Sequence, residues 1–78
     1  MNRDNDISQE QMFFSIFCIE SLSKKLGIFG GFVYEKLAEE SDILDEYIIS
    51  NYDVLHTQSE EYITQDLFEI MESRGVSV

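Results

Sequence analysis

The side chains best suited to proton transfer stand close together in the second half of the chain. His56 is the single histidine, and Tyr52, Asp53 and Thr57 lie within four positions of it. At helical spacing Tyr52, Asp53 and His56 share one face, where a carboxylate of Asp53 or Asp66 would orient the imidazole ring. That pattern admits a small hydrolase or an enzyme accessory. A lone histidine in a small domain more often binds backbone or a carboxylate across a turn, and we favour that structural role.

Other catalytic and metal chemistries lack a suitable set of residues. Cys18 is the single cysteine and lies in the most apolar stretch, where thiolate formation is disfavoured and no internal disulfide is available. One cysteine, one histidine and scattered carboxylates do not have the spacing of a zinc site, and no stretch follows the calcium-loop pattern. The sequence therefore predicts no enzyme and no metal or cofactor.

Two features could form a surface for a partner. The densest charge is a run of carboxylates interrupted by one cation, Lys36, and its members are Glu35, Glu39, Glu40, Asp42, Asp45 and Glu46. This run is either a solvated face or a docking surface for a basic partner. Phe29 and Phe32 flank two glycines, and their rings either join the core or leave an aromatic patch for a protein contact.

The net charge of -11 limits the classes of partner. No basic stripe is present to neutralise phosphates, and the same charge repels anionic lipid surfaces. The GxxG pattern of residues 27–30 resembles a nucleic-acid clamp, but it presents Ile28 and Phe29 instead of basic side chains. We therefore expect no nucleic acid and no membrane as partner. The polar, acidic start has no signal-peptide pattern and no apolar span of about 20 residues occurs, so the sequence predicts a cytoplasmic protein.

The elements that position these residues are predicted to be helices. Residues 12–19 contain seven apolar side chains interrupted by Ser15, which predicts a buried helix that is apolar around most of its circumference. Ser8 and Gln11 have capping-box spacing and Gly27 suits a left-handed end, so this helix should be Gln9–Leu26. The six phenylalanines are expected to supply much of the core.

The remaining apolar patterns predict three more helices. A short helix should begin at Phe32, a third should cover about residues 42–49, and the last should be Glu60–Ser73, capped by Thr57 or Ser59. Residues 51–57 are predicted to be an irregular or helical connection, with a short strand as the competing conformation. The fold predicted is an all-α compact bundle of about four short helices with the first helix central. Residues 1–7 should form a flexible tail, and residues 8–78 a single helical domain.

Three segments of the chain resemble a family of short uncharacterised bacterial proteins, a domain of unknown function. These segments are FFSIFCIESLSKKLGI (residues 13–28), VYEKL (33–37) and YDVLHTQSEEYITQDLFEIMESRG (52–75). The last is the specific one, with Tyr52, Leu55, His56, Thr57, Tyr62, Ile63 and Asp66 in register. Gly30, Gly31 and Phe32 depart from the more polar helix start expected of the family.

The resemblance implies a genetic context and no activity. Proteins of this kind are often encoded beside a larger protein that resembles an ADP-ribosyltransferase toxin, in toxin-antitoxin-like gene pairs, which suits a small acidic binder. The resemblance assigns no site residue. Under it, Tyr52, His56, Thr57 and Asp66 are either a structural cluster that holds the last helix or a partner contact.

Three hypotheses of function follow. The first is a non-enzymatic interaction module, antitoxin-like, that binds a protein partner through its carboxylates or the corner formed by Phe29 and Phe32. The second is a small enzyme or enzyme accessory that uses His56 with Asp53 or Asp66. The third is a purely structural homodimer. We favour the first because the charge is strongly acidic and no catalytic constellation is present.

Overall fold

The computed structural model describes residues 8–77, and these residues form five helices and no strand. In chain order they are α1 (Gln9–Leu26), α2 (Gly30–Tyr34, continued by Glu35–Glu39), α3 (Ile43–Ile49), α4 (Tyr52–Leu55) and α5 (Glu60–Ser73). The second part of α2 and all of α3 have π-helical hydrogen bonding. The predicted all-α fold is confirmed, with one short helix more than expected.

Two sequence predictions concern the ends of the chain and membrane spans. The predicted flexible tail, residues 1–7, lies outside the described residues, as does residue 78 at the end of the predicted domain. In the described part of the chain, none of the helices combines the length and the apolar content that a membrane span requires.

α1 begins and ends at the residues that its local signals predict. The Ser8 hydroxyl accepts from the Gln11 amide at 3.0 Å, and the Gln11 side chain accepts from the Ser8 amide at 3.0 Å. This capping box pairs two amides that a helix start leaves free. At the other end Gly27 has φ of 69°, the left-handed conformation that closes many helices at low cost for glycine.

α5 is capped by one of the two predicted candidates. The Ser59 hydroxyl accepts from the Tyr62 amide at 3.1 Å, which makes Ser59 the cap. The Thr57 hydroxyl donates instead to the Val54 carbonyl at 2.8 Å and closes the end of α4. Residues 51–57 are thus a helical connection, and the competing strand does not form.

The end of α2 is formed by hydrogen bonds between residues five positions apart, instead of the four positions of an α-helix. The Glu40 amide donates to the Glu35 carbonyl, five residues earlier, at 2.8 Å. The Ser41 hydroxyl donates to the Lys36 carbonyl, also five residues earlier, at 2.7 Å. These bonds over five residues form a wider turn than that of an α-helix, and α2 ends there. At its other end, α2 begins at Gly30, two residues before the predicted start.

The hydrophobic core lies where α1 meets α2, α3 and α5. The side chains that are almost completely buried there are Cys18, Leu22, Val33, Leu37, Ile43, Ile48, Ile63, Leu67 and Met71. Each of the four longer helices contributes at least two of them. The predicted central position of α1 is confirmed by its contacts with three other helices.

The prediction that residues 12–19 are buried around most of the helix is wrong. Phe13 is 58% exposed, whereas the side of α1 that faces the core carries the smaller residues Ser15, Cys18 and Ser21. None of the six phenylalanines joins the fully buried set. A chain of 78 residues has a large surface relative to its volume, and its other helices cover one side of α1 only.

Two glycines at the turn between α1 and α2, Gly27 and Gly30, should respond differently to alanine substitution. Gly27→Ala should lower the free energy of unfolding by about 1–2 kcal/mol, because an L-residue is strained at a φ of 69°. Gly30→Ala should leave it unchanged or raise it by up to about 1 kcal/mol, because the new Cβ would lie 3.9 Å from Ile19 Cγ2 and the unfolded chain loses entropy. Urea unfolding of both variants measures this difference, and equal midpoints would contradict it.

Candidate functional site

The aromatic rings at α4 form a short stack on the surface. The His56 ring lies parallel to the Tyr52 ring, with centroids 4.5 Å apart, and Tyr52 meets the Phe14 ring of α1 edge to face at 5.5 Å. His56 Nδ1 donates to the Tyr52 carbonyl at 2.8 Å, since a carbonyl can only accept. The stack joins α4 to α1 and holds an exposed imidazole against the helix end.

The predicted carboxylate partners of His56 are placed differently. Asp66 accepts a hydrogen bond from the hydroxyl of Tyr47, which links α5 to α3. Within residues 8–77 no carboxylate forms an ion pair with His56, and Asp53 is an exposed residue of α4. The structure therefore brings Tyr52 and His56 together, while Asp66 belongs to a separate contact.

The hydroxyl of Tyr47 is held in its neutral form by its surroundings. Desolvation by burial raises the pKa of Tyr47 to about 12, and the hydrogen bond to Asp66 and the negative charge of Asp66 act in the same direction. The tyrosine donates while Asp66 accepts, so the pair is a neutral donor with a charged acceptor.

Cys18 and the grouping of ligand-type side chains bear on nucleophile and metal chemistry. Burial raises the pKa of the Cys18 thiol to about 12, so that it is protonated at neutral pH. Residues 8–77 contain no group of three His, Cys, Asp or Glu side chains arranged to hold a metal ion. In the open depression between α1 and α5, Ser21 donates to Glu60 at 2.7 Å and Lys24 lies 3.7 Å from the same carboxylate oxygen.

A surface that combines aromatic and acidic side chains runs along α2. We call it the α2 surface, and its residues are Phe29, Phe32, Glu35, Glu39 and Glu40. Phe29 precedes the helix and is 79% exposed, which answers the open question of whether its ring joins the core. Both rings of this corner remain at the surface.

Close contacts position the side chains of the α2 surface. A Cβ built on Gly31 would lie 2.7 Å from Cε2 of Phe29. The ring therefore lies close to the glycine backbone, and its position requires that residue 31 has no side chain. Lys36 Nζ lies 4.9 Å from the centroid of the Phe32 ring and 3.0 Å from a Glu40 carboxylate oxygen. Lys36, the one basic residue in the acidic run, thus contacts two neighbouring side chains of the α2 surface.

The other carboxylates of the acidic run differ in their exposure and in their partners. Glu46 of α3 accepts from Arg74 at 3.1 Å, beyond the end of α5. Glu35, Glu39 and Asp42 are exposed, and these three lie along and just after α2. The carboxylates of the run are therefore spread over α2, α3 and the turn between them, and Phe29 directly precedes α2.

Sequence reasoning missed a second surface on α1. We call it the outer α1 face, and its residues are Met12, Phe13, Ile16 and Phe17, which are 40–58% exposed. A signal for it was present: Glu20 and Lys24 continue the line of Phe13 and Phe17 along the helix at three- and four-residue steps. Charged residues at those positions indicate that this line faces water.

Comparison with known proteins places the chain in a family. A family model described as "Protein of unknown function (DUF3791)" matches residues 13–74. That range contains every predicted site residue and both surfaces except Met12. No curated protein and no solved structure matches the chain.

The bond between Tyr47 and Asp66 should make stability depend on alkaline pH. The pKa of Tyr47 is raised from 10.0 to about 12 in the folded protein, so its contribution to stability is complete below about pH 10 and is lost as the pH rises through 12. In urea unfolding across that range, the free energy of unfolding should fall more steeply for the wild type than for Tyr47→Phe.

Tyr34→Phe is the matched control for this experiment. It removes a hydroxyl from an exposed tyrosine of α2 and leaves the pair of Tyr47 and Asp66 intact. It should keep the wild-type slope. A Tyr47→Phe slope equal to that of the wild type would show that Tyr47 is not held in its neutral form by this contact.

Proposed function

The chain belongs to this family of proteins of unknown function, and we propose that it is a small acidic module that binds a basic protein partner through the α2 surface. The single observation that carries the proposal is Phe29, an aromatic residue that is 79% exposed and precedes a helix with exposed carboxylates. Aromatic side chains that enter a partner's pocket supply a large part of the binding energy of many interfaces.

The position of the Phe29 ring favours its use as an anchor. One edge of the ring lies beside Gly31, where a Cβ would be 2.7 Å from Phe29 Cε2, so the helix restricts the ring on that side. A side chain that is already ordered loses less entropy when it is captured by a partner. Phe32, 40% exposed, extends the apolar contact along α2.

Charge favours a basic partner for this anchor. Sixteen acidic side chains face five basic ones in the whole sequence, and Glu35 and Glu39 are exposed on the same helix that carries Phe32. The ion pair of Lys36 with Glu40 is neutral as a whole, so Glu35 and Glu39 remain as the net negative charge of the α2 surface. A negative field of this kind accelerates association with a cationic protein and makes binding weaker at high salt.

The finer form of the proposal is an antitoxin-like role in the cytoplasm of a bacterium. In that form the partner is a toxin encoded by the neighbouring gene, as the resemblance described above implies. The single buried Cys18 supports a reducing compartment, because such a thiol needs no oxidising environment.

Titration calorimetry of the purified chain with the purified product of the neighbouring gene tests this function. At low salt we expect a complex, and Phe29→Ala should weaken it at least about tenfold because an apolar anchor is lost. Gly31→Ala retains the ring but displaces it, so it should weaken the complex by a smaller factor.

Phe13→Ala is the matched control for the anchor. It also truncates an exposed phenylalanine, but on the outer α1 face, and it should leave the affinity unchanged. The proposal fails if the wild type forms no complex at low salt, or if Phe29→Ala and Phe13→Ala weaken the complex equally.

A further inference from the structure

The outer α1 face leaves a continuous apolar area in water. Met12, Phe13, Ile16 and Phe17 stand at i, i+1, i+4 and i+5, which places them on one side of the helix. About half of each side chain is exposed, so the four together present roughly 400 Å² of apolar surface. Patches of that size are the largest that monomeric proteins usually carry, and they are often binding sites.

This face is the part of an acidic protein where a second copy meets the least repulsion. Residues 11–19 carry no charged side chain, although the chain has a net charge of -11. The dense carboxylates lie on α2 and α3, in other parts of the sequence. Two copies that met through α2 would bring like charges together, whereas two copies that met through the outer α1 face would bring apolar side chains together.

The order of side chains along α1 also suits a two-fold contact. In an antiparallel pair of α1 helices centred between residues 14 and 15, Phe13 of one copy would face Ile16 of the other, and Met12 would face Phe17. The same register places Gln9 opposite Glu20, so an amide at each end of the contact can donate to a carboxylate. A contact in which each copy offers the same patch closes after two copies, because it is isologous.

We infer that the outer α1 face is the interface of a weak, two-fold symmetric dimer of this chain. Two faces of roughly 400 Å² each bury roughly 800 Å² of apolar surface with a small polar rim, which is below the 1,200 Å² or more of stable interfaces. The dimer is therefore reversible and forms at micromolar or higher concentration. It leaves the α2 surface free for the partner proposed above and does not depend on that partner.

Sedimentation equilibrium of the full chain tests this dimer. From about 10 μM to about 1 mM, the weight-average mass should rise from that of the monomer towards that of the dimer. Association should tighten as salt is added, because salt screens the repulsion between two chains of charge -11. Salt weakens the complex with a basic partner, so the two interactions respond in opposite directions.

Two variants with the same change in charge locate the interface. Phe13→Glu should remain monomeric throughout, since it places a charge at the centre of the contact. Phe29→Glu adds the same charge on the α2 surface and should dimerise almost as the wild type does. Phe13 is separated from the end of α1 by 13 residues, about 20 Å of helix, so the two substitutions probe different regions.

Three outcomes would overturn the dimer. One is a wild-type chain that stays monomeric at the highest concentration, and another is an equal effect of Phe13→Glu and Phe29→Glu. If Phe13→Glu does not fold, nuclear Overhauser contacts between labelled and unlabelled wild-type copies replace it, and contacts from Phe13 to Ile16 of the second copy are expected. The third is contacts to Phe13 that come from residues 1–7 of its own chain, without any between copies.

Discussion

The structure depends on how closely α1 approaches three other helices along one stripe of its surface. Cys18 and Leu22 are fully buried on that stripe, and the small residues Ser15 and Ser21 lie beside them. Small side chains allow neighbouring helices to pack at short distance, and Ser21 satisfies its buried hydroxyl by donating to Glu60 of α5. Because this stripe faces the core, Met12, Phe13, Ile16 and Phe17 are left on the other side of the helix.

That arrangement separates two kinds of surface in a very small protein. The outer α1 face is apolar and stands in a segment without charge, whereas the α2 surface joins an exposed ring to carboxylates. An apolar contact acts at short range and strengthens when like charges are screened, while an acidic surface attracts a basic protein from a distance and is weakened by salt. The family assignment leaves both roles open, since its description names no activity.

Local signals predicted the ends of α1 and α5, and long-range contacts decided which sides of the helices are buried. Ser8, Gly27 and Ser59 each cap a helix end through a hydrogen bond to a residue no more than four positions away. A short sequence pattern is therefore sufficient to locate these helix ends. The direction in which α1 faces could not be read from its apolar content, because both sides of residues 12–19 are apolar. The pairing of Asp66 with Tyr47, 19 residues earlier, depends on how α3 packs on α5, which no local spacing specifies.

The most direct test of this account compares two alanine substitutions on opposite sides of α1. Urea unfolding at low protein concentration should show that Leu22→Ala lowers the free energy of unfolding by about 2–5 kcal/mol, because it opens a cavity in the core. Phe13→Ala should lower it by less than about 1 kcal/mol, because most of that ring is in water. A loss for Phe13→Ala as large as that for Leu22→Ala would show that the helix is buried on the other side, and would contradict the account.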